Sequence, residues 1–369
     1  MRQPTYLVQR QTILRLISGD ATNIRGVAGI SQPPLVLSAV TIETMTSMQH
    51  KFGALDLIRA GLQDLDKART LFDELHNDGI DDDRMRLLLT TLEKACDPDV
   101  ALSNLVDIIK VMQSQGEDFT NIIADENSFI RLITVLGVSD EMGKLMRFRP
   151  ELVEAAANDA CESHLYNHEQ RRAHVLKSVG ADPNDHTMPT ASLPLAEAAT
   201  ALRKTYRKQL AAIMAQDATA NDPIEIQPRI STELSDLADA ALEGALAIAR
   251  HEVDGSGHVR FAIIGMGKLG AQELNYVSDV DLIYVVEPAD ADTNGMTLSR
   301  VGTKMATTLQ RVCQSVIMGV AEPTLWQIDG GLRPEGKDGP LVRRLESHEA
   351  IMSNGRKTGN SKLCSKHVR

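Results

Sequence analysis

The sequence predicts an α+β fold, a helical N-terminal region followed by a small mixed sheet with flanking helices. Two observations carry this expectation. Apolar residues recur at helical spacing from about residue 56 to 250, as in Leu88-Leu89, Leu92 and Ala95-Cys96, or Leu102, Leu105, Ile108 and Ile109. Near residue 256 the texture changes to short continuous apolar runs bounded by glycine or aspartate, the pattern of buried strands.

Residues 1–55 form an unassigned N-terminal extension, in which Pro33-Pro34 interrupts any long helix. Residues 56–255 are the helical region, with short links rich in Asp, Gly and Pro such as NDGIDDD and CDPD. A helix is expected over 192–214, with the basic set Arg203, Lys204, Arg207 and Lys208 on an exposed face or against a phosphate or partner. Another is expected over 232–250, after Pro228, with Leu234, Leu237, Ala241, Ala245 and Ile248 on one side. Within 256–349, His258–Ile264 reads as a strand ending at Gly265, and Asp281–Val286 as a second. An amphipathic helix follows over 299–318, with Val301, Met305, Leu309, Val312 and Val316 in its stripe. Thr324–Asp329 reads as a third strand, with Trp326 in the core beside it.

Composition narrows the function classes. Apolar residues make up 43% of the 369, enough for a sizeable core. Asp plus Glu is 50 against 39 Lys plus Arg, a net charge of −11, which disfavours non-specific binding to nucleic acid or an anionic membrane. Aromatics at 3% disfavour base-stacking platforms. The cysteines Cys96, Cys161, Cys313 and Cys364 form no CxxC, which suits a reducing compartment. No uncharged apolar run reaches the roughly 18 to 20 residues of a membrane span, and Arg10 and Arg15 interrupt the N-terminal apolar residues. A cytoplasmic protein is the expectation.

The chemistry-bearing stretch is FAIIGMGKLGAQELNYVSDVDLIYVVE. Gly265, Gly267 and Gly270 match GxGxxG, but only Ala271 to Ser278 separate them from Asp279, too little for a crossover helix, which needs at least about 10 to 12 residues. A dinucleotide site is therefore disfavoured, and GxxxxGK[ST] is absent. Asp279 and Asp281, at i, i+2 where a strand begins, point to one face. Two such carboxylates repel unless a hard cation such as Mg2+ bridges them. Asp329, closing the next strand before Gly330-Gly331, is the candidate third ligand of a two-metal site for attack at phosphorus. Gly265 and Gly267 would let backbone N–H groups approach phosphate, while Lys268 and Arg333 would neutralise its charge. Each piece alone has a plain structural reading: a solvated DxD, a turn-capping Asp329, a surface Arg333. Together they have the layout of a polymerase-β-like nucleotidyltransferase palm. Cys161-x-x-His164-x-x-x-His168, with His174 beyond, reads as a solvated helix face rather than a zinc site.

GMGKLG at 265–270, ELNYVSDVDLI at 273–283 and DGGLRPEG at 329–336 with GPLV at 339–342 resemble one family, the bifunctional glutamine synthetase adenylyltransferase/adenylyl-removing enzymes. Upstream, LIRAGLQDLDKARTLFDEL, ACDPDVAL, VLGVSDEMGKLMRFRPEL and ELSDLADAALEGAL are similar to its N-terminal helices. The resemblance spans about 56 to 349 and touches only the adenylyl-removing half. It implies removal of AMP from a tyrosine of glutamine synthetase by phosphorolysis, with Asp279, Asp281 and Asp329 as catalytic metal ligands. Gly265, Gly267, Lys268, Ser278 and Arg333 would bind nucleotide or phosphate. The implied partners are glutamine synthetase, a nucleotide, inorganic phosphate and a nitrogen-signalling regulatory protein. No second GxGKLG…DxD is present for the adenylylating half.

The pattern breaks after Glu349. The tail at 350–369, AIMSNGRKTGNSKLCSKHVR, is basic and lacks an amphipathic period. Codons exist for it such that reading from the last base of the Ala350 codon yields YHEQWAKNWEFQALLKARP, similar to the family's next segment. A frame change near Ala350 is the expectation, and Cys364 would then carry no function. Two alternatives to an active adenylyl-removing enzyme stand beside it: an impaired fragment that only binds glutamine synthetase, and a nucleotidyltransferase acting on another substrate.

Overall fold

The computed structural model describes residues 52–117, 119, 125–157, 166–290, 294–332 and 339–357. Among them the chain is α+β, as the sequence predicts. The N-terminal extension up to residue 51, Cys161 and His164, Arg333 and the tail beyond 357 lie outside the described residues.

The helical region runs through α1 (Ala54–Arg59), α2 (Leu65–Asn77), α3 (Asp82–Leu92), α4 (Pro98–Gln115), α5 (Glu126–Val138), α6 (Asp140–Met146), α7 (Pro150–Ala157), α8 (His168–Ser178), α9 (Leu195–Thr219) and α10 (Pro223–Glu252). The acidic links start helices. Asp81 accepts from Arg84 N at 2.8 Å, and Asp97 accepts from Val100 N at 3.0 Å, each closing an N-terminal backbone donor. Pro98 occupies the first turn of α4, where a missing N–H costs nothing. One apolar core joins α1 to α7 and takes Ala211, Met214 and Ala215 from α9. A second joins α8 to α10 with the sheet.

Helix α10 begins before the position expected. Asp222 caps it through Ile224 N (2.9 Å) and Glu225 N (3.1 Å), and Pro228 sits inside it. A buried face running from Ile230 to Ala249 outweighs the single backbone bond that Pro228 removes.

The sheet is built on β2 (Val280–Pro288). Strand β1 (Val259–Gly265) pairs antiparallel along one edge, from Val259 opposite Pro288 to Gly265 opposite Leu282. Along the other edge β3 (Ile328–Asp329) and β4 (Val342–Arg343) pair parallel with successive stretches of β2. Between β1 and β2 lies one helical turn, α11 (Gly267–Gly270), and helix α12 (Gly295–Gln314) packs on the sheet. Helix α13 (Leu345–Lys357) closes the described chain and continues across the expected start of the tail. The antiparallel β1–β2 pair is incompatible with a dinucleotide crossover, which requires parallel strands.

Three expectations are corrected here. The basic set on α9 is not one exposed face: Lys204 and Lys208 are exposed, but Arg203 (1% exposed) and Arg207 are buried. Arg203 Nη2 donates to the Val312 and Ser315 carbonyls at 2.7 Å, and its Nη1 to that of Glu322 at 2.9 Å. Arg207 Nη2 donates to Thr324 O at 2.6 Å. These guanidinium groups satisfy carbonyls at the end of α12 and in the chain that follows. Second, α12 stops at Gln314, so Val316 leaves the stripe and is 89% exposed. Third, only Ile328–Asp329 of the expected third strand pairs as a strand. Before it, Leu325 N donates to Cys313 O (2.8 Å) and the Thr324 carbonyl serves Arg207, so backbone groups that would form a ladder are used by helices. Trp326 lies against the sheet core and donates to Tyr206 Oη at 3.1 Å. Among the described residues no helix is long and apolar enough to cross a membrane.

Candidate functional site

β2 and β3 set the carboxylates. Asp281 and Asp329 are register partners on adjacent parallel strands, so both side chains leave the same face of the sheet. Asp279 lies two residues earlier, exposed, immediately before β2. Val280 N donates to Gln327 O at 2.9 Å, which locks the two strands together between these carboxylates. Asp329 Oδ1 accepts from Gly331 N at 2.6 Å, so the following glycine turns the chain around it.

The glycine turn abuts the same group. Gly267 has φ +54°, and a Cβ there would overlap Asp281 Oδ2. Glycine is therefore required for both the backbone conformation and the approach. A Cβ on Gly270 would overlap the Gly265 carbonyl oxygen, so the turn is closed on itself. Met266 N donates to Asp281 O at 2.8 Å and ties the turn to β2. Lys268 is exposed within the turn, and Ser278 is half-buried beside Asp279.

Electrostatics join these residues. Burial, then Asp329 and then Asp279, push the Asp281 carboxyl above its ordinary range, while Lys268 pulls it down. The donors are hard carboxylate oxygens that repel one another, the chemistry a divalent cation such as Mg2+ relieves. Asp279, Asp281 and Asp329 thus suit a metal, with Gly265, Gly267, Lys268 and Ser278 alongside. Arg333 lies outside the described residues.

One tighter group was not foreseen. His168, at the start of α8, meets Asp236 and Asp239 of α10, with ligand atoms all within 4.8 Å of one another. The sequence reading grouped His168 with its chain neighbours. Asp236 and Asp239 sit at i, i+3 on a helix, a visible signal, but their meeting with His168 depends on how α8 packs on α10. Burial pushes Asp239 up to about 6, with Asp236 adding to the rise and His168 opposing it. The triad Asp279, Asp281 and Asp329 is not drawn this close.

Comparison with known proteins identifies the family. The family model for glutamate–ammonia ligase adenylyltransferases matches residues 129–357, more than half of the chain. A bifunctional glutamine synthetase adenylyltransferase/adenylyl-removing enzyme of Bifidobacterium longum (strain DJO10A) is 71% identical over 305 residues, covering 83% of this chain and 28% of the relative. Proteins of the same name from Cutibacterium acnes and Streptomyces avermitilis are 36% and 33% identical, over 79% and 82% of this chain. The chain spans less than a third of the length of these relatives. With its nucleotidyltransferase-like sheet and the long family match, the chain belongs to the glutamate–ammonia ligase adenylyltransferase family.

Proposed function

We propose that the chain is a metal-dependent, cytoplasmic nucleotidyltransferase that removes AMP from an adenylylated tyrosine of glutamine synthetase. The observation that carries this reading is the register of Asp281 with Asp329 beside the Gly267 turn, inside the span of the family match. An oxygen of inorganic phosphate attacks the adenylyl phosphorus, the bond from phosphorus to the tyrosine oxygen breaks, and the tyrosinate takes a proton. The products are ADP and free tyrosine hydroxyl. Asp279, Asp281 and Asp329 would hold Mg2+, which when bound would supply charge neutralisation for the phosphoryl oxygens and the leaving tyrosinate. The chain's own part is positional. Gly265 and Gly267 admit phosphate oxygens to backbone N–H groups, Ser278 binds nucleotide or phosphate, and Lys268 and Arg333 bind and neutralise the phosphates.

The test is to incubate the chain with adenylylated glutamine synthetase, phosphate and Mg2+, and to follow ADP. Phosphate-dependent release, abolished in Asp279→Asn, is the expected result; undiminished release by that variant defeats the site assignment. A second reading is a polypeptide that binds glutamine synthetase without turnover. It predicts co-elution with the adenylylated enzyme and no ADP.

A further inference from the structure

We infer that helix α9 positions the carboxylate set from both sides, with Tyr276 and its partner Asp217 as the positioning pair for Asp279. This inference rests on the proposed role of the carboxylates as metal ligands. The chain from Ala271 to Asp279 forms no helix or strand, yet it is fastened to the helical region at successive points. Gln272, the one described non-glycine residue with positive φ (55°), aims Nε2 at Asp236 Oδ1 at 3.5 Å. Leu274 is 2% exposed, and its N–H donates to Ser235 Oγ at 3.3 Å. Tyr276 Oη donates to Asp217 Oδ2 at 3.0 Å, near the end of α9. The Tyr276 ring packs against both apolar cores.

After Tyr276 only Val277, Ser278 and Asp279 precede Val280, whose N–H is bonded to Gln327 O. The segment bearing the Asp279 carboxylate is therefore three residues long and held at both ends. Val277 is 90% exposed, so packing does not hold it. On the other side, Arg207 of α9 holds the Thr324 carbonyl, in the chain leading to Asp329. Arg207 and Asp217 are ten residues apart on one helix, about 15 Å at the helical rise. One rigid element thus spans the two chain segments whose carboxylates must meet at a metal.

Tyr276→Phe tests the pair, because phenylalanine keeps the ring packing and loses only the hydroxyl. Mn2+ is the probe, titrated onto the full chain by electron paramagnetic resonance. Tyr276→Phe and Asp217→Ala should each weaken Mn2+ binding about threefold to tenfold, the size of one ordinary net hydrogen bond. The double variant should lose no more than either single one, and Asp217→Asn, which keeps an acceptor oxygen, should stay near wild type. Melting temperatures should move by no more than about 2 °C, and amide exchange at 277–279 should accelerate in Tyr276→Phe. Unchanged exchange there, or losses that add in the double variant, would overturn the inference. Should Mn2+ bind wild type and Asp279→Asn equally, the metal reading fails instead, and the exchange comparison still decides whether the tether holds.

Discussion

Gly267→Ala isolates the contact between the glycine turn and Asp281. Two costs follow from the geometry. At φ +54° an alanine sits in the left-handed region, a penalty of about 1–2 kcal/mol. The new methyl would also overlap Asp281 Oδ2, although Asp281 Cγ is 3.5 Å and Cβ 3.9 Å from it, which is ordinary contact. The carboxylate can therefore escape by rotating, without moving its strand, and its oxygen shifts by about 1 Å. A displacement of that size in a reacting constellation costs about a hundredfold in rate. Gly267→Ala should thus lose about a hundredfold in phosphate-dependent ADP release, while the melting temperature falls by only about 2–4 °C. Rate and melting temperature measured on the same preparation provide the check. Activity within about twofold of wild type would refute the claim that Gly267 is needed for the Asp281 position, and a collapse of the melting transition would refute the claim that the effect is local.

Two further outcomes follow from buried charge. Asp239 titrates near 6 in the fold against 3.8 for an ordinary aspartate. Its contribution to stability is therefore fully present below about pH 4 and is lost as pH rises through about 6, an effect of about 3 kcal/mol. Asp239→Asn removes this dependence, so its urea midpoint should gain on wild type between pH 4 and 7; a gap that does not vary with pH contradicts the assignment. Arg203→Ala leaves the carbonyls of Val312, Ser315 and Glu322 without their donor, and should cost about 3–5 kcal/mol in urea unfolding. A loss under about 1 kcal/mol would mean that water replaces the guanidinium.

What the sequence carried was local chemistry. FAIIG and DLIYVV at 261–265 and 281–286 read as strands because both are continuous apolar runs, and they lie inside β1 and β2. The short reach from Gly270 to Asp279 excluded a crossover, and the antiparallel β1–β2 pair agrees. Gly267 was legible because its neighbours form a turn between strands. Features that depend on distant partners were not legible. The burial of Arg203 requires carbonyls more than a hundred positions away. Thr324 and Leu325 have strand-like composition, but the Thr324 carbonyl and the Leu325 N–H bond to helices. Val316 fits the helical stripe, yet α12 has ended before it. The approach of His168 to Asp236 and Asp239 needs α8 laid along α10.

The same logic bears on where the proposed catalytic unit ends. Composition changes at about residue 256, which suggests a sheet that could stand alone. The packing argues otherwise. Core residues of α10, such as Leu234, Leu237 and Ile248, share one apolar cluster with Leu282 and Tyr284 of β2 and Val301, Met305 and Leu309 of α12. A sheet freed of α10 would present that apolar face to water, and burial at about 25 cal/mol per Å² is the main force holding it. The polar contacts run the same way, since Arg203 and Arg207 terminate α12 and its following chain from α9, and Asp217 holds Tyr276 from that same helix. Asp281 and Asp329 lie on the sheet and Asp279 just before it, but the chain segments leading to Asp279 and Asp329 are held by the helical region. A change in the packing of α9 would therefore reach Asp279 and Asp329 together, without any shift in β2 itself.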